Sequence, residues 1–186
     1  MDANTKFAPV VADSFLTPNT GVAETFHFVK GVQQIRMTLT NFVVPVLAAN
    51  DYGGTKLCDL PPTNLLLFAL EVNLITTKGG VTNGLVAATD IAMSIGTVTA
   101  SSTTLNSTMA NAMASQAITA DLLTNALQVH TLATTPAELG ILDGAPTAAL
   151  FLNVAAAAGI TADDVLTVNG TIDIFILDLG NVTSPG

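Results

Sequence analysis

The sequence predicts an all-β protein, a β-sandwich of the jelly-roll or Greek-key type with one or two short helices. Apolar and polar residues alternate along most segments, and Gly, Pro and Asn clusters separate those segments. No long stretch has the period of an amphipathic helix. Seven or eight short strands divided by turns are typical of a sandwich, and the lack of a fixed repeat disfavours propellers and solenoids.

The 186 residues suit one domain with a leading arm. Residues 1–31 are predicted to form an N-terminal arm, because Pro9, Pro18 and the turn cluster at 17–21 interrupt any regular element. Residues 32–186 are predicted to form the sandwich. An arm of this kind can dock on a neighbouring subunit, and a plain flexible terminus is the alternative.

Alternating apolar positions predict most of the strands. The first runs from Val32 and continues to Val46, with Pro45 marking an edge or a break. Residues 65–75 are apolar on both faces at first, which predicts a central strand. Further strands are predicted at 90–98, 126–132 and 148–156, and a loop between residues 52–54 and 61–62.

The last strand is predicted to run unbroken through Asn169-Gly170, a pair that normally marks a hairpin turn. Apolar residues keep one phase from Leu166 to Ile176 across this pair. A hairpin would oppose Leu166 to Asp173 and mix polar with apolar groups on both faces. One long strand with a glycine bulge keeps a single apolar face.

Two short helices are predicted in the middle of the chain. Met109, Met113 and Ala117 recur at four-residue spacing, and Thr119 could cap a further turn. Residues 135–138 carry a cap, a proline at the first helical position and an acid in the first turn.

Charge is scarce and unbalanced. Charged residues make up 10% of the chain, against roughly 25% in average domains, and the formal net charge is −9. No basic residue follows Lys78, so the surface repels phosphate and nucleic-acid binding is not expected. A weakly solvated surface predicts a chain that functions within an assembly; an acidic environmental protein with a Thr-rich surface is the alternative.

The mean hydropathy of +0.58 does not predict a membrane protein. A spanning helix needs ~20 apolar residues, and the most apolar stretch, residues 146–160, contains Thr147, Asn153 and Gly159. The first fifteen residues carry Asp2, Lys6 and Asp13 and resemble no signal peptide. Synthesis in a cytoplasm is therefore expected.

No reactive constellation is visible in the sequence. There is no phosphate-binding loop, no nucleophile elbow and no zinc motif. Cys58 is the sole cysteine and is expected to be a small buried hydrophobe, while His27 and His130 are expected to be structural unless the fold brings them together. We predict no catalytic residue, no cofactor, no metal ligand and no enzyme activity.

Three weaker signals stay open. Asp163-Asp164 is expected to lie in a solvated turn, with a weak calcium site as the alternative. Asn106, Asn169 and Asn181 begin glycosylation sequons that chance explains. Without Trp and with Tyr52 as the sole Tyr, the chain is poorly equipped to stack sugars.

The C-terminal third carries a resemblance. Residues 147–154 (TAALFLNV), 166–174 (LTVNGTIDI) and 178–180 (DLG), together with 91–97 (IAMSIGT), resemble small virion proteins of tailed phages, including marine and cyanobacterial ones. The resemblance covers about residues 65–180 and rests on strand patterns. It implies a jelly roll or related sandwich on the capsid exterior, often trimeric at three-fold positions, without catalytic residues.

The expected function is that of a decoration (cement) protein that stabilises a phage head by bridging major capsid subunits. Its expected partners are the major capsid protein and itself, as a homotrimer, with no nucleic acid and no membrane. It would be assembled in the host cytoplasm onto the virion exterior. The alternatives are another virion component (a head fibre, tail or baseplate protein), a carbohydrate-binding adhesin module, or a hydrolase with scattered acids.

Overall fold

The computed structural model describes residues 17–29, 32–60, 64–86, 90–119, 124–132, 141–143, 149–156 and 159–178. Within these ranges the chain forms eleven strands and one 3₁₀ turn, Ser107–Met109. The strands are β1 Thr17–Pro18, β2 Val22–Val29, β3 Val32–Val46, β4 Tyr52–Asp59, β5 Asn64–Lys78, β6 Asp90–Gly96, β7 Met113–Thr119, β8 Thr124–Leu132, β9 Ile141–Asp143, β10 Ala149–Ala156 and β11 Asp164–Asp178. The predicted all-β sandwich is confirmed.

The strands form two antiparallel sheets. The five-stranded sheet has the order β1-β4-β10-β6-β7, and the six-stranded sheet has the order β2-β3-β11-β5-β8 with β9 paired to β5. If β1, β2 and β9 are set aside, eight strands remain. The first pairs with the eighth, the second with the seventh, the third with the sixth and the fourth with the fifth. This nested pairing defines a jelly roll.

The core lies between the inner faces of the two sheets. Its residues follow the period of two that the sequence shows, since every second side chain of a strand points to the same face. In the first half of β3 the buried positions include Ile35, Met37 and Leu39, each at most 2% exposed, and Ile172 and Ile174 of β11 lie beside Met37 and Ile35 in register. The described part of the chain contains no helix long and apolar enough to cross a bilayer.

The long strand β11 confirms the prediction made for Asn169-Gly170. It pairs with β3 on one side and β5 on the other, and its pairing with β3 shifts register between Val168 and Gly170. Gly170 has a φ of +129°, which only glycine adopts readily. Asn169 lies opposite two β3 residues, Thr40 and Asn41, so the extra residue of this bulge belongs to β3, while β11 pairs with β5 without a shift at this point. The bulge predicted at Gly170 therefore lies on the neighbouring strand, and β11 keeps its apolar face to the core.

The predicted helix through Met109, Met113 and Ala117 is wrong. Met113–Thr119 is strand β7, which pairs with β6, and Met109 ends the 3₁₀ turn. Both methionines are buried, but they reach the interior from a loop and from a strand. The four-residue spacing therefore arises by chance, because Met109 and Met113 belong to two different elements. The helical turn predicted at 135–138 lies outside the described residues.

Two segments predicted as irregular are strands. Val22–Val29 pairs with β3, so this part of the predicted arm lies in the six-stranded sheet. The loop predicted between residues 52–54 and 61–62 is wrong, because most of this stretch is strand β4, Tyr52–Asp59, which begins with residues 52–54. Their glycines lie where neighbours come close: a side chain on Gly53 would meet the Pro45 carbonyl, and one on Gly54 would meet Asn153. Pro45 does not end β3, because β2 covers only its first half and leaves that edge free.

Candidate interaction surface

The two histidines do not converge. His27 lies in β2 and His130 in β8, which are the first and last strands in the order β2-β3-β11-β5-β8. Three strands lie between them, which places their backbones about 19 Å apart. No catalytic pair or shared metal site of these two residues follows from this register.

Cys58 is a buried hydrophobe, as predicted. Its side chain is 0% exposed within the core, and burial raises the pKa of its thiol to about 12. A neutral thiol in this position is a poor nucleophile.

We expect this burial to make the protein sensitive to alkali. The folded thiol has a pKa of about 12 against an ordinary value of 9.0, so the unfolded chain loses its proton first. The contribution of the neutral Cys58 thiol to the free energy of unfolding is complete below pH 9 and is lost as the pH rises toward 12. Between pH 9 and 10.5 the free energy of unfolding should fall by about 2 kcal/mol more in the wild type than in Cys58→Ala, as urea titrations would measure. Equal pH slopes for the two proteins would contradict this.

Asp163 and Asp164 have different environments. Asp163 is exposed, and its Oδ1 accepts the Ala48 amide at 2.8 Å. Asp164 is 5% exposed, and its oxygens accept the amides of Leu85 at 2.9 Å and Val165 at 2.8 Å. The solvated-turn interpretation is therefore wrong for Asp164. The sequence carried a signal for this burial, because Asp164 shares the phase of Leu166 and Val168, but the Leu85 amide that satisfies the carboxylate comes from 79 residues away.

The asparagines of the predicted sequons and Tyr52 show no arrangement typical of a binding site within the described residues. Asn169 lies within β11, and its Oδ1 accepts the Asn41 amide at 2.7 Å. Asn106 is exposed, and Asn181 lies outside the described residues. Tyr52 is half-buried against Ala155, which leaves it a poor platform for a sugar ring. Within the described residues no three His, Cys, Asp or Glu side chains form a group suited to a metal ion.

The outer face of the five-stranded sheet lies beneath a covering loop, residues 97–112. Asn153, at 0% exposure on β10, holds this loop: its Oδ1 accepts the Ala100 amide at 2.7 Å, and its Nδ2 donates to the carbonyls of Val98 and Met109, both at 2.9 Å. Ser94 Oγ also donates to the Met109 carbonyl, at 2.7 Å. One amide side chain thus satisfies three backbone groups of a loop that has no ladder of its own.

Small residues on this sheet make room for the covering loop. A side chain on Gly96 would meet the backbone of Thr108 and Met109. Leu105 packs with Ala100 and Ala155 in a second, smaller cluster. The covering loop therefore buries the centre of this face, where Ser94 and Asn153 are 0% exposed, while Ser115 and Ala117 of β7 stay exposed.

One half of the outer face of the six-stranded sheet is charged. It is defined here by Gln34, Arg36, Glu71 and Asp173 and is called the upper half. Arg36 forms a two-point ion pair with Asp173, Nε to Oδ1 at 2.8 Å and Nη2 to Oδ2 at 2.9 Å. Gln34 also donates to Asp173 Oδ1 at 3.2 Å, and Glu71 is the β5 neighbour of Asp173 in register. This row crosses three strands and gives the upper half its polarity.

The lower half of the same face carries an apolar strip, defined as Val43, Pro45, Leu47, Val81 and Val165. The four aliphatic side chains of the strip are 37–45% exposed. Val165 pairs with Pro45 on one side, and its carbonyl accepts the Gly79 amide on the other. A groove of about 280 Å³ runs over it, lined by Pro45, Leu47, Gly79, Val81, Asp163, Asp164 and Val165.

The loops around the strip are tied together by hydrogen bonds. Asp51 Oδ1 accepts the Ile160 amide at 2.7 Å, and the Asn83 carbonyl accepts the amides of Thr161 at 2.9 Å and Ala162 at 3.1 Å. With the bonds made by Asp163 and Asp164, three loops far apart in sequence are held at one end of the sandwich. Such a surface loses little conformational entropy when a partner binds.

Sequence reasoning missed the strip, although the sequence carried a signal for it. Between Phe42 and Leu47 apolar residues occupy both phases of β3. Phe42, Val44 and Val46 are buried, so the other phase had to present apolar groups outward. Exposed contiguous apolar surface marks an interaction site more often than isolated apolar residues do.

Comparison with known proteins adds no identity to this surface. No protein-family model and no curated protein sequence matches the chain.

Proposed function

We propose that this chain is a structural virion protein, a decoration protein that stabilises a tailed-phage head by bridging major capsid subunits. The observation that carries the proposal is the apolar strip, an open and uncharged surface on a jelly roll whose loops are tied down. Jelly rolls are common in viral capsid proteins. The sequence resemblance to small virion proteins supports the same function.

The energetics suit a protein that works by contact area. Buried apolar surface contributes roughly 25 cal/mol per Å² before the entropy of association is subtracted. A strip of this size gives a modest contribution per copy, and a trimer that binds several capsid subunits at once multiplies it through effective concentration. Among the described cations, Arg36 and Lys56 are ion-paired and Lys78 is 5% exposed. Asp163 is the one exposed carboxylate among the residues that line the groove, so little charge has to be desolvated at such a contact, and interface centres are typically depleted in charged residues.

The proposal is tested on empty heads assembled from the major capsid protein of the phage that encodes the chain. The purified chain should co-sediment with these heads, saturate at a fixed number of copies and raise the temperature at which the heads disrupt. Sedimentation equilibrium of the free chain should give three times its 19.0 kDa mass. Failure to bind the heads, together with reproducible binding on a glycan array, would favour an adhesin module.

A further inference from the structure

The groove over Val165 is shaped for side chains rather than for a cofactor. Its 280 Å³ lies at the lower limit of small-molecule pockets. Pro45 and Leu47 form one wall, and Gly79 and Val81 form the other, with Val165 as the floor. Apart from Asp163 and Asp164, the lining is apolar or glycine. Asp163 precedes Val165 by two residues and is exposed on the same side of the chain, which places its carboxylate beyond Val165 along the groove.

Only one of these carboxylates is available to a ligand. Asp164 is buried and uses both oxygens on backbone amides. Asp163 is exposed and uses Oδ1 on the Ala48 amide. A carboxylate can accept about four hydrogen bonds, so Asp163 keeps capacity for a donor that arrives along the groove.

An apolar trough with one accessible carboxylate at its end matches a particular kind of side chain. Lysine and arginine can pack their aliphatic stem on apolar surface while the charged head group stays in a polar environment. The head would reach Asp163 while the stem covers Val165. The net charge of −9 draws such cations toward the chain over a longer range.

A second copy of this chain fits the groove less well. Two copies that meet through this face would bring their Asp163 carboxylates near one another. The described cations of a second copy are paired, as Arg36 and Lys56 are, or buried, as Lys78 is. Within the described residues a second copy offers no exposed, unpaired lysine or arginine for Asp163, and its net charge of −9 opposes close approach, so charge favours a different protein as the occupant.

We propose that this groove binds an extended segment of a partner protein and receives a lysine or arginine whose stem packs on Val165 and whose head pairs with Asp163. The inference rests on the proposed function, since it names the surface and the chemistry through which a capsid subunit is held. It adds to that function the requirement that the partner carry a lysine or arginine at the contact. This requirement can be tested without capsids.

The test is an NMR titration of the isotope-labelled chain with two acetylated, amidated peptides, LKVKL and LEVEL. We expect LKVKL to shift the amide signals of Leu47, Val81 and Val165, and LEVEL to leave them in place. Asp163→Asn keeps an acceptor for the Ala48 amide and should weaken LKVKL binding about 1.4-fold to fivefold, the range of an exposed ion pair. Glu71→Gln removes the same charge from the upper half of the face and should leave the affinity unchanged.

A second pair of variants tests the same groove independently, in case Asp163→Asn perturbs folding. Leu47→Gln removes one apolar wall and should also weaken binding, whereas Val98→Gln alters a similarly exposed side chain of the covering loop (43% against 45% exposed) and should not. The inference is overturned by shifts elsewhere, by equal binding of both peptides, by equal weakening in Glu71→Gln, or by no binding. Failure of the wild-type chain to bind heads would count against the proposed function alone, because the peptide titration is independent of it.

Discussion

Replacing Asn153 by leucine is expected to lower the free energy of unfolding by about 3–4 kcal/mol. The side chain is 0% exposed and makes three hydrogen bonds to the covering loop. Leucine is similar in size but leaves the Ala100 amide and the Val98 carbonyl without this partner, and each unsatisfied buried group costs about 1–3 kcal/mol. Urea unfolding followed by circular dichroism measures the loss.

The covering loop should also detach locally in Asn153→Leu before the sandwich unfolds. Limited digestion with thermolysin should then cut near Leu105, which is 5% exposed in the wild type. Asn106→Ala is the matched control, because Asn106 lies in the same loop and makes no side-chain capping hydrogen bond. If both variants lose similar small amounts of stability, Asn153 does not hold the loop.

Gly170→Ala is expected to destabilise the protein by about 3 kcal/mol or more. Gly170 has a φ of +129°, a conformation that costs other residues of order 1–3 kcal/mol. An added methyl group would also meet the Asn73 carbonyl and come within 3.0 Å of the Leu74 Cα. Because β11 pairs on both sides, the strand has no free edge toward which it could shift.

Gly80→Ala separates the two contributions. Gly80 has a φ of +88° with nothing within 4 Å of an added methyl group, so the variant carries the conformational strain alone. We expect its midpoint of urea unfolding to lie between those of the wild type and Gly170→Ala. A loss in Gly170→Ala no greater than that in Gly80→Ala would show that β11 adapts to the methyl group without disturbing β5.

The strand predictions succeeded where the alternation of residues is a local property. Ile35, Met37 and Leu39 face the core as expected, and β11 runs through Asn169-Gly170 because a single phase outweighs the turn tendency of two residues. The helix predicted at 109–117 failed for the complementary reason. A four-residue spacing of methionines is equally compatible with a buried loop residue and a buried strand residue.

The candidate surface could be predicted only in part. The apolar residues of both phases around Pro45 were visible in the sequence, but their outward exposure depends on which strands cover that half of β3. Asp163 and Asp164 are adjacent and chemically identical, yet one is exposed and the other buried. The difference arises because β11 begins at Asp164, whose side chain shares the buried phase of Leu166 and Val168, and the Leu85 amide satisfies the carboxylate there.

By itself, the sequence determined an all-β chain, the phase of its core strands and the long final strand, since these follow from the two-residue period of an extended backbone. The tertiary structure alone decided the jelly-roll order, the covering loop held by Asn153 and the groove that ends at Asp163. Each of these depends on pairing between residues distant in sequence, which no local pattern of residues specifies.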